Sequence, residues 1–381
     1  MATVPDDVIW PYMARQKNES ANFPSLRKQL ILWYDENRRD LPWRAANEPY
    51  AIWVSEIMLQ QTRVAVVVDR YKAFMERFPT LTDLARAHEQ DVLALWSGLG
   101  YYRRARMLHK AAQFVTDNLG GVLPSTSAEL RKLPGIGSYT AAAIASIAYN
   151  EPVAVVDGNV ERVLCRIAGW GEGGRTSATA LRKKIENRVA TLVDANRPGD
   201  FNQAMMELGA MVCLPRNPQC PRCPVSEHCE TRGEHKTVPR PRMLSREVGY
   251  ALSVRTPITP RKPRGVVSRE VLLEQRPASN SVMPGMWELP ALRSSAVPEK
   301  DQRMIVRHAI MQVNYYVRIR TLFEDDVDAH TVLNGDRRWV PLTEAAGMAL
   351  TGLARKVLTR AHLLPSSPLD VIVPRTGGEL L

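Results

Sequence analysis

The sequence predicts a multi-domain protein: an all-α domain that ends in a metal-binding loop, followed by a smaller α+β domain. Three observations carry this. Over residues 24–209 apolar residues recur at helical spacing almost without interruption. Four of the chain's five cysteines then fall within residues 213–229. Beyond them the texture changes to short runs in which apolar and polar residues alternate, the period of strands.

A chain of 381 residues is long for one hydrophobic core, so two domains are expected. Residues 1–22 read as an N-terminal segment with little order. Residues 23–232 read as the all-α domain, with helices in SLRKQLILWYDEN, DRYKAFMERF, EQDVLALWSGLG and RARMLHKAAQFVTDNLG, punctuated by Pro79, Gly98, Gly100, Gly120 and Pro124. Residues 233–247 are charged and carry prolines, and read as a linker. In residues 248–364, the runs EVGYALSVRTPI, GVVSREVLLEQRP, VNYYVRIRTLF and RRWVPL read as strands and residues 352–364 as a short helix. Residues 365–381 read as a flexible tail.

Lys and Arg number 51 against 40 Asp and Glu, a formal net charge of +11. Such a surplus points to an acidic partner, most simply nucleic acid. No apolar run reaches the roughly 18 residues of a membrane span. The opening MATVPDDVIWPYMARQ lacks the layout of a signal peptide. A monomer in the reducing cytoplasm, nucleoid-associated in a bacterium and without a membrane partner, is expected.

Cys213, Cys220, Cys223 and Cys229 are spaced C-x6-C-x2-C-x5-C. Four thiolates on short Pro- and Arg-bearing loops suit zinc or a [4Fe–4S] cluster; a disulfide pair is the remaining alternative. Zinc sites are usually built from two short knuckles set well apart. The single C-x2-C, flanked by wider gaps, therefore favours the cluster. Arg216, Arg222 and Arg232 surround the cysteines.

Leu133-Pro134-Gly135-Ile136-Gly137 forms a tight turn between two helical segments. Gly135 and Gly137 let the backbone approach another molecule, and N–H groups at a helix start bind an anion such as a phosphate. Leu133 and Ile136 would anchor the turn in the core. An ordinary helix–helix turn can have the same sequence. Asp157 ends the apolar run PVAVV at a strand-to-helix transition, where Asp also serves as an N-cap. Glu56 sits among Ile52, Trp53, Leu59 and Gln60 on a helix. Burial there would raise its pKa and keep it protonated, as a general acid requires, unless it lies at the edge of that face.

The segments YAIWVSEIMLQQTRV, LWSGLGYYRRARML, LPGIGSYTAAAI and VVDGNVERVLCR, together with the cysteine loop, resemble the MutY-type adenine DNA glycosylases of the endonuclease III superfamily. The likeness covers most of residues 25–230. It implies an all-α helix-hairpin-helix glycosylase domain, with the hairpin at 133–149 and a [4Fe–4S] loop at 213–229. The substrate implied is duplex DNA holding adenine opposite 8-oxoguanine or guanine. Glu56 is then the acid that protonates the departing adenine, and Asp157 the carboxylate that stabilises the sugar cation. Tyr139 and Asn159 support the two carboxyls. Gln61 and Tyr101 fill the duplex, with Thr62 and Leu99 beside the opposite base, although core packing for Tyr101 and helix capping for Thr62 are ordinary alternatives. Endonuclease III-type relatives carry a lysine where this chain has Tyr139, so base release without efficient strand cutting is implied. A bifunctional glycosylase acting on oxidised pyrimidines and a non-catalytic DNA-binding module are the rival readings.

VVSREVLLEQRP and GMWELP resemble the Nudix-like domain of the same family, without the Glu-rich metal helix of a pyrophosphohydrolase. The resemblance implies that this domain reads the lesion, through a Phe-Ser-His run. Here His308, itself a candidate DNA contact, is followed by Ala309 and then Ile310-Met311-Gln312, so within the run Ile310 and Gln312 remain to supply an apolar wedge and a polar contact.

Overall fold

The computed structural model describes residues 23–45, 47–170, 177–235, 242–257, 269–295, 297–310 and 312–365. The N-terminal segment, residues 236–241 of the linker, Met311 and the tail beyond residue 365 lie outside the described residues. Helices follow in chain order: α1 (Phe23–Asn37), α2 (Pro49–Leu59), α3 (Val64–Arg77), α4 (Leu81–Arg86), α5 (Glu89–Leu95), α6 (Arg103–Leu119), α7 (Ser127–Leu130), α8 (Ser138–Tyr149), α9 (Gly158–Ile167), α10 (Ala178–Leu192) and α11 (Pro198–Met211). Strands then dominate: β1 (Leu244–Leu252), β2 (Val254–Arg255), β3 (Glu270–Gln275), β4 (Trp287–Glu288), β5 (Gln302–Ile310), β6 (Val313–Thr321) and β7 (Arg337–Pro341), with short helices α12 (Val327–His330) and α13 (Leu342–Ala345) and the longer α14 (Gly352–Arg360). No helix among the described residues is long and apolar enough to cross a membrane.

Contacts gather the chain into two compact units, Met1–Ile57 with Asp117–Pro239 and Met58–Thr116 with Arg240–Leu381. The segment Met58–Thr116 is helical like its neighbours in sequence, yet it packs with the strand-bearing region.

In the first unit α1, α9, α10 and α11 share a core of Leu30, Tyr34, Val160, Leu164, Ile185, Val189, Phe201 and Leu208. Each side chain comes from the apolar stripe of its helix, which can leave water only against another such stripe. Residues 152–157 were expected to be strand-like and form no strand. Asn202 of α11 takes the place of a partner strand: it accepts from Val155 N at 3.1 Å and donates to Val153 O at 2.9 Å. The buried extended backbone is thus satisfied by a side chain.

In the second unit the helical segment packs Phe74 edge-on to Phe78 and Trp96, with centroids 5.1 and 6.1 Å apart. Its α4 begins with a capping box between Thr80 and Asp83. The strand region has two sheets. One runs β1-β6-β5, with β1 parallel to β6 and β5 antiparallel; the other joins β2, β4 and β7 to the central β3. Val271 and Leu273 from one sheet, Val306 and Val317 from the other, and Val357 and Leu358 of α14 close a shared core. Strand β5 has no counterpart in the sequence reading. Its exposure alternates as a strand's does, but Ile305 stands on the exposed side and Gln302 and His308 on the other, so the sequence does not alternate apolar with polar.

Candidate active site

Helix α2 carries Glu56 on its buried side, 6% exposed, with Ile52 and Trp53 at 2% and 0%. From the first turn of α8, Tyr139 donates its hydroxyl hydrogen to Glu56 Oε2 at 2.8 Å, and its oxygen lies 3.3 Å from Met206 Sδ. Burial pushes the Glu56 carboxyl up to about 7; the Tyr139 bond and Arg44 oppose this, and the nearby Asp157 adds to it. Burial, and then Glu56 and Asp157, push the Tyr139 phenol well above its ordinary range, so it stays a neutral donor.

Asp157 is the N-cap of α9. Its Oδ1 accepts from Asn159 N at 2.9 Å and Val160 N at 2.8 Å, and its Oδ2 accepts from Asn159 Nδ2 at 2.9 Å. Cap and acceptor geometry therefore coincide: the bonds that start the helix fix Oδ1, and the Asn159 side chain fixes Oδ2. Asn159 is held in turn by Arg162 Nη2, which donates to its Oδ1 at 2.9 Å. Arg162 also donates through Nε to Cys213 O at 2.8 Å and through Nη2 to Gly209 O at 2.7 Å. Gly209 of α11 lies directly against Asn159; a Cβ there would stand 2.6 Å from Asn159 Cβ.

Sequence reasoning did not find Arg44, Arg162 or Gly209. Arg39 and Arg44 both bind Glu207, which they hold down to about 2 against the upward push of burial. Their pairing joins positions 163 to 168 residues apart and leaves no local spacing to detect.

In the other unit, Gln61 and Tyr101 both adopt left-handed backbone, φ 55° and 47°, and both are exposed, Tyr101 to 53%. An exposed aromatic on a strained turn is not packed in a core. Thr62 caps no helix, since Arg63 is the N-cap of α3; its hydroxyl donates to Leu99 O and Gln60 O at 3.3 Å. The Leu99 side chain is buried, 4% exposed, so this residue offers the turn its carbonyl rather than an open side chain. Arg104, another residue the sequence did not single out, ties the two turns together. It donates to Leu99 O at 3.0 Å, Gly100 O at 3.2 Å, Met58 O at 3.2 Å and Gln60 O, and its guanidinium lies over the Trp96 and Tyr101 rings.

At the Gly-rich turn, Leu133 and Ile136 are buried while Gly135 and Gly137 are exposed beside Arg131 and Lys132. Gly135 has φ 74°, which a side chain would oppose, and Gly137 is the N-cap of α8. Exposed backbone N–H groups and two cations are the groups that an anion site requires.

Cys213, Cys220, Cys223 and Cys229 line one open-mouthed cavity, with Arg166, Val212 and Arg232. Within the loop, Cys220–Arg222 and Ser226–His228 each form a single 3-10 turn. Arg166 Nη1 donates to Cys213 Sγ at 3.3 Å. Burial pushes the Cys223 thiol up to about 11; the Val225 N–H opposes this, and the sulfurs of Cys213, Cys229 and Cys220 add to it, so the four feel one another. Among the described residues no three His, Cys, Asp or Glu side chains close around a single ion.

At the end of the β5–β6 pairing, Ile310 pairs with Val313. Gln312 is exposed and Ile310 half-buried. His308 faces inward, within 3.3 Å of where a Cβ on Gly352 would stand, so packing against α14 and not the hairpin tip holds its ring.

Residues 54–190 match the model of the HhH-GPD superfamily base excision DNA repair proteins. The adenine DNA glycosylase of Mus musculus is 35% identical over 407 residues, an alignment that covers 89% of this chain and 78% of the mouse protein. That of Homo sapiens is 40% identical over 340 residues, covering 77% of this chain and 61% of the human protein. A solved structure of a thermostable thymine-DNA glycosylase superposes with a TM-score of 0.50 at 28% identity, over 56% of this chain and 97% of that one. The chain therefore belongs to the adenine DNA glycosylase family of the HhH-GPD superfamily.

Proposed function

We propose that this protein hydrolyses the N-glycosidic bond of adenine mispaired with 8-oxoguanine or guanine in duplex DNA. One observation carries the reading: a buried carboxyl held near neutral pKa by its surroundings, Glu56, feels the field of a second carboxyl fixed by a helix start, Asp157. One neutral and one charged carboxyl is the division of labour that glycosidic cleavage uses.

The adenine is inaccessible in the stack and is flipped out. Gln61 and Tyr101, exposed on left-handed turns, fill the space it leaves, with Thr62 beside the opposite base. Glu56 gives its proton to the departing adenine, and Tyr139 holds the Glu56 oxygen in line. Asp157, as the carboxylate fixed by Asn159, stabilises the sugar cation until water adds. Tyr139 supplies no amine, so no Schiff base forms with the sugar; adenine leaves alone and an abasic deoxyribose remains in an intact strand. The Gly135–Gly137 turn and the chain's positive charge hold the backbone phosphates.

The four cysteines fit a [4Fe–4S] cluster. All four line one cavity, and every ligand is a thiolate donor. Bound there, the cluster supplies a rigid centre for the loop; hydrolysis calls on no electron from it. The mixed sheets between β1 and α14 support taking this region as a Nudix-like domain, whose task is to read the base opposite the adenine through Ile310 and Gln312. Single-turnover base release from A:8-oxoguanine, A:G and A:T duplexes tests the reading. Release from the two mispairs, lost in Glu56→Gln with mismatch binding retained, is expected; full activity of that variant overturns the acid assignment.

A further inference from the structure

The turn that presents Tyr101, residues 96–102 between α5 and α6, is costly to build. Gly98, Gly100 and Tyr101 all have positive φ, at 94°, 69° and 47°. Two side chains hold it from its own helical segment: Trp96 Nε1 donates to Gly100 O at 3.1 Å, and Arg104 takes the carbonyls of Leu99 and Gly100. A third hold comes from far along the chain. Arg355 of α14 donates through Nε to Ser97 Oγ at 2.8 Å, a bond between buried residues 258 positions apart. Its Nη2 donates to Ala346 O and Met348 O, each at 3.2 Å. Next to Ser97 in the same turn, Tyr102 is 5% exposed, with its hydroxyl 3.5 Å from Leu350 O.

Arg355 is only 9% exposed, and its electrostatic neighbours are Tyr102 and a second cation, Arg70, rather than a carboxylate. Burying a guanidinium without a counter-charge is unfavourable, and an apolar side chain of similar length would fill the space at less cost. What the guanidinium alone can do is grip two places at once: the 346–348 turn of the strand region and the Ser97 hydroxyl. We propose that Arg355 is a positioning residue for base extrusion, by which the strand region that reads the opposite base holds the Tyr101 turn in its left-handed form. This rests on the reading above that Tyr101 fills the duplex. The bond makes the hold of the strand region on the lesion strand and the entry of Tyr101 mutually dependent.

The test uses the full chain and a duplex carrying 2-aminopurine, a fluorescent adenine analogue, opposite 8-oxoguanine, alongside single-turnover adenine release. Arg355→Met keeps length and removes the donors; Ser97→Ala removes the acceptor, a hydroxyl that also bonds Tyr102. Each is expected to lower the extrusion equilibrium about tenfold, as for the loss of one hydrogen bond to a charged group. The double variant should be no worse than Arg355→Met alone. In a Tyr101→Ala background neither change should matter further, and the pH dependence of adenine release should stay that of the unmodified protein. A general loss of folding would lower the active fraction without this dependence on Tyr101. If Arg355→Met does not fold, Ser97→Ala with and without Tyr101→Ala carries the comparison. Undiminished extrusion in Ser97→Ala, or additive effects with Tyr101→Ala, overturns the proposal. Failure of the unmodified protein to release adenine would instead overturn the functional reading beneath it.

Discussion

Tyr139 and Glu56 lie 83 positions apart in sequence and share a hydrogen bond of 2.8 Å. The bond works against the burial of Glu56: desolvation favours the protonated acid, while a donated hydrogen favours the anion. The balance leaves a carboxyl at about 7, loaded with a proton near neutrality and still able to give it away.

The alkaline limb of adenine release should follow from this balance. Glu56 must be protonated to act, so the single-turnover rate should fall as pH rises through about 7. Tyr139→Phe removes the donor that favours the anion, so the limb should move to higher pH. A pH–rate profile from 5 to 9 checks this; a limb that stays in place or moves down would show that Tyr139 does not set the Glu56 proton.

Gly209→Ala separates helix propensity from packing. In a helix interior Ala is favoured over Gly by about 1 kcal/mol. Here the new Cβ would stand 2.6 Å from Asn159 Cβ and 3.1 Å from its Cα. Overpacking of that kind costs about 1–3 kcal/mol, so a net loss of stability is expected. Because Asn159 holds Asp157, adenine release should fall more than tenfold. A higher Tm with full activity would mean that Asn159 has room to move.

Purified protein made with ample iron should hold about four iron atoms per chain, as a cubane on four thiolates requires. Metal analysis that returns one zinc per chain would sink the cluster assignment. Cys220→Ala should reduce soluble yield and DNA affinity more than it alters the rate of base release in whatever folds.

The hairpin at 310–312 should discriminate less sharply than a Phe-Ser-His run. Ile310 is an apolar side chain that would act as the wedge, and Gln312 has a donor and an acceptor, while Met311 has no hydroxyl. Losing one or two polar contacts of about 1 kcal/mol each narrows the preference for A:8-oxoguanine over A:G by roughly five- to thirtyfold. The variant Ile310→Phe, Met311→Ser, Gln312→His should recover that margin in binding and base release. No gain would mean that the lesion is read elsewhere.

Glu288 offers a test of stability against pH. Burial pushes this carboxyl up to about 7 despite the Thr351 hydroxyl at 2.6 Å and the Leu289 N–H. Its folded pKa exceeds the ordinary value of 4.5, so between those limits the native state binds a proton that the unfolded chain does not. Its contribution is therefore full at the acid end of that window and is lost as pH rises to about 7. Glu288→Gln, which carries no proton equilibrium, should flatten the decline in Tm over that window. An unchanged slope would place the proton elsewhere.

The sequence by itself determined the chemistry-bearing residues wherever local spacing encodes them. Four cysteines within one loop, Gly135 at a left-handed turn and Asp157 at a helix start each answer to a short-range rule, because a turn, a cap and a metal loop are built from neighbours in the chain. Glu56 was legible for the same reason: its helical neighbours are apolar, and burial of its face follows from periodicity. Only the tertiary structure decided which residues meet. Asn202 in place of a partner strand, Gly209 under Asn159, and Arg355 on Ser97 from 258 positions away leave no periodic trace. It also grouped Met58–Thr116 with the strand region, although its helical pattern matches that of the segments on either side. The physical reason is common to all of these: periodicity reports which face of an element avoids water, but not which other face it will find there.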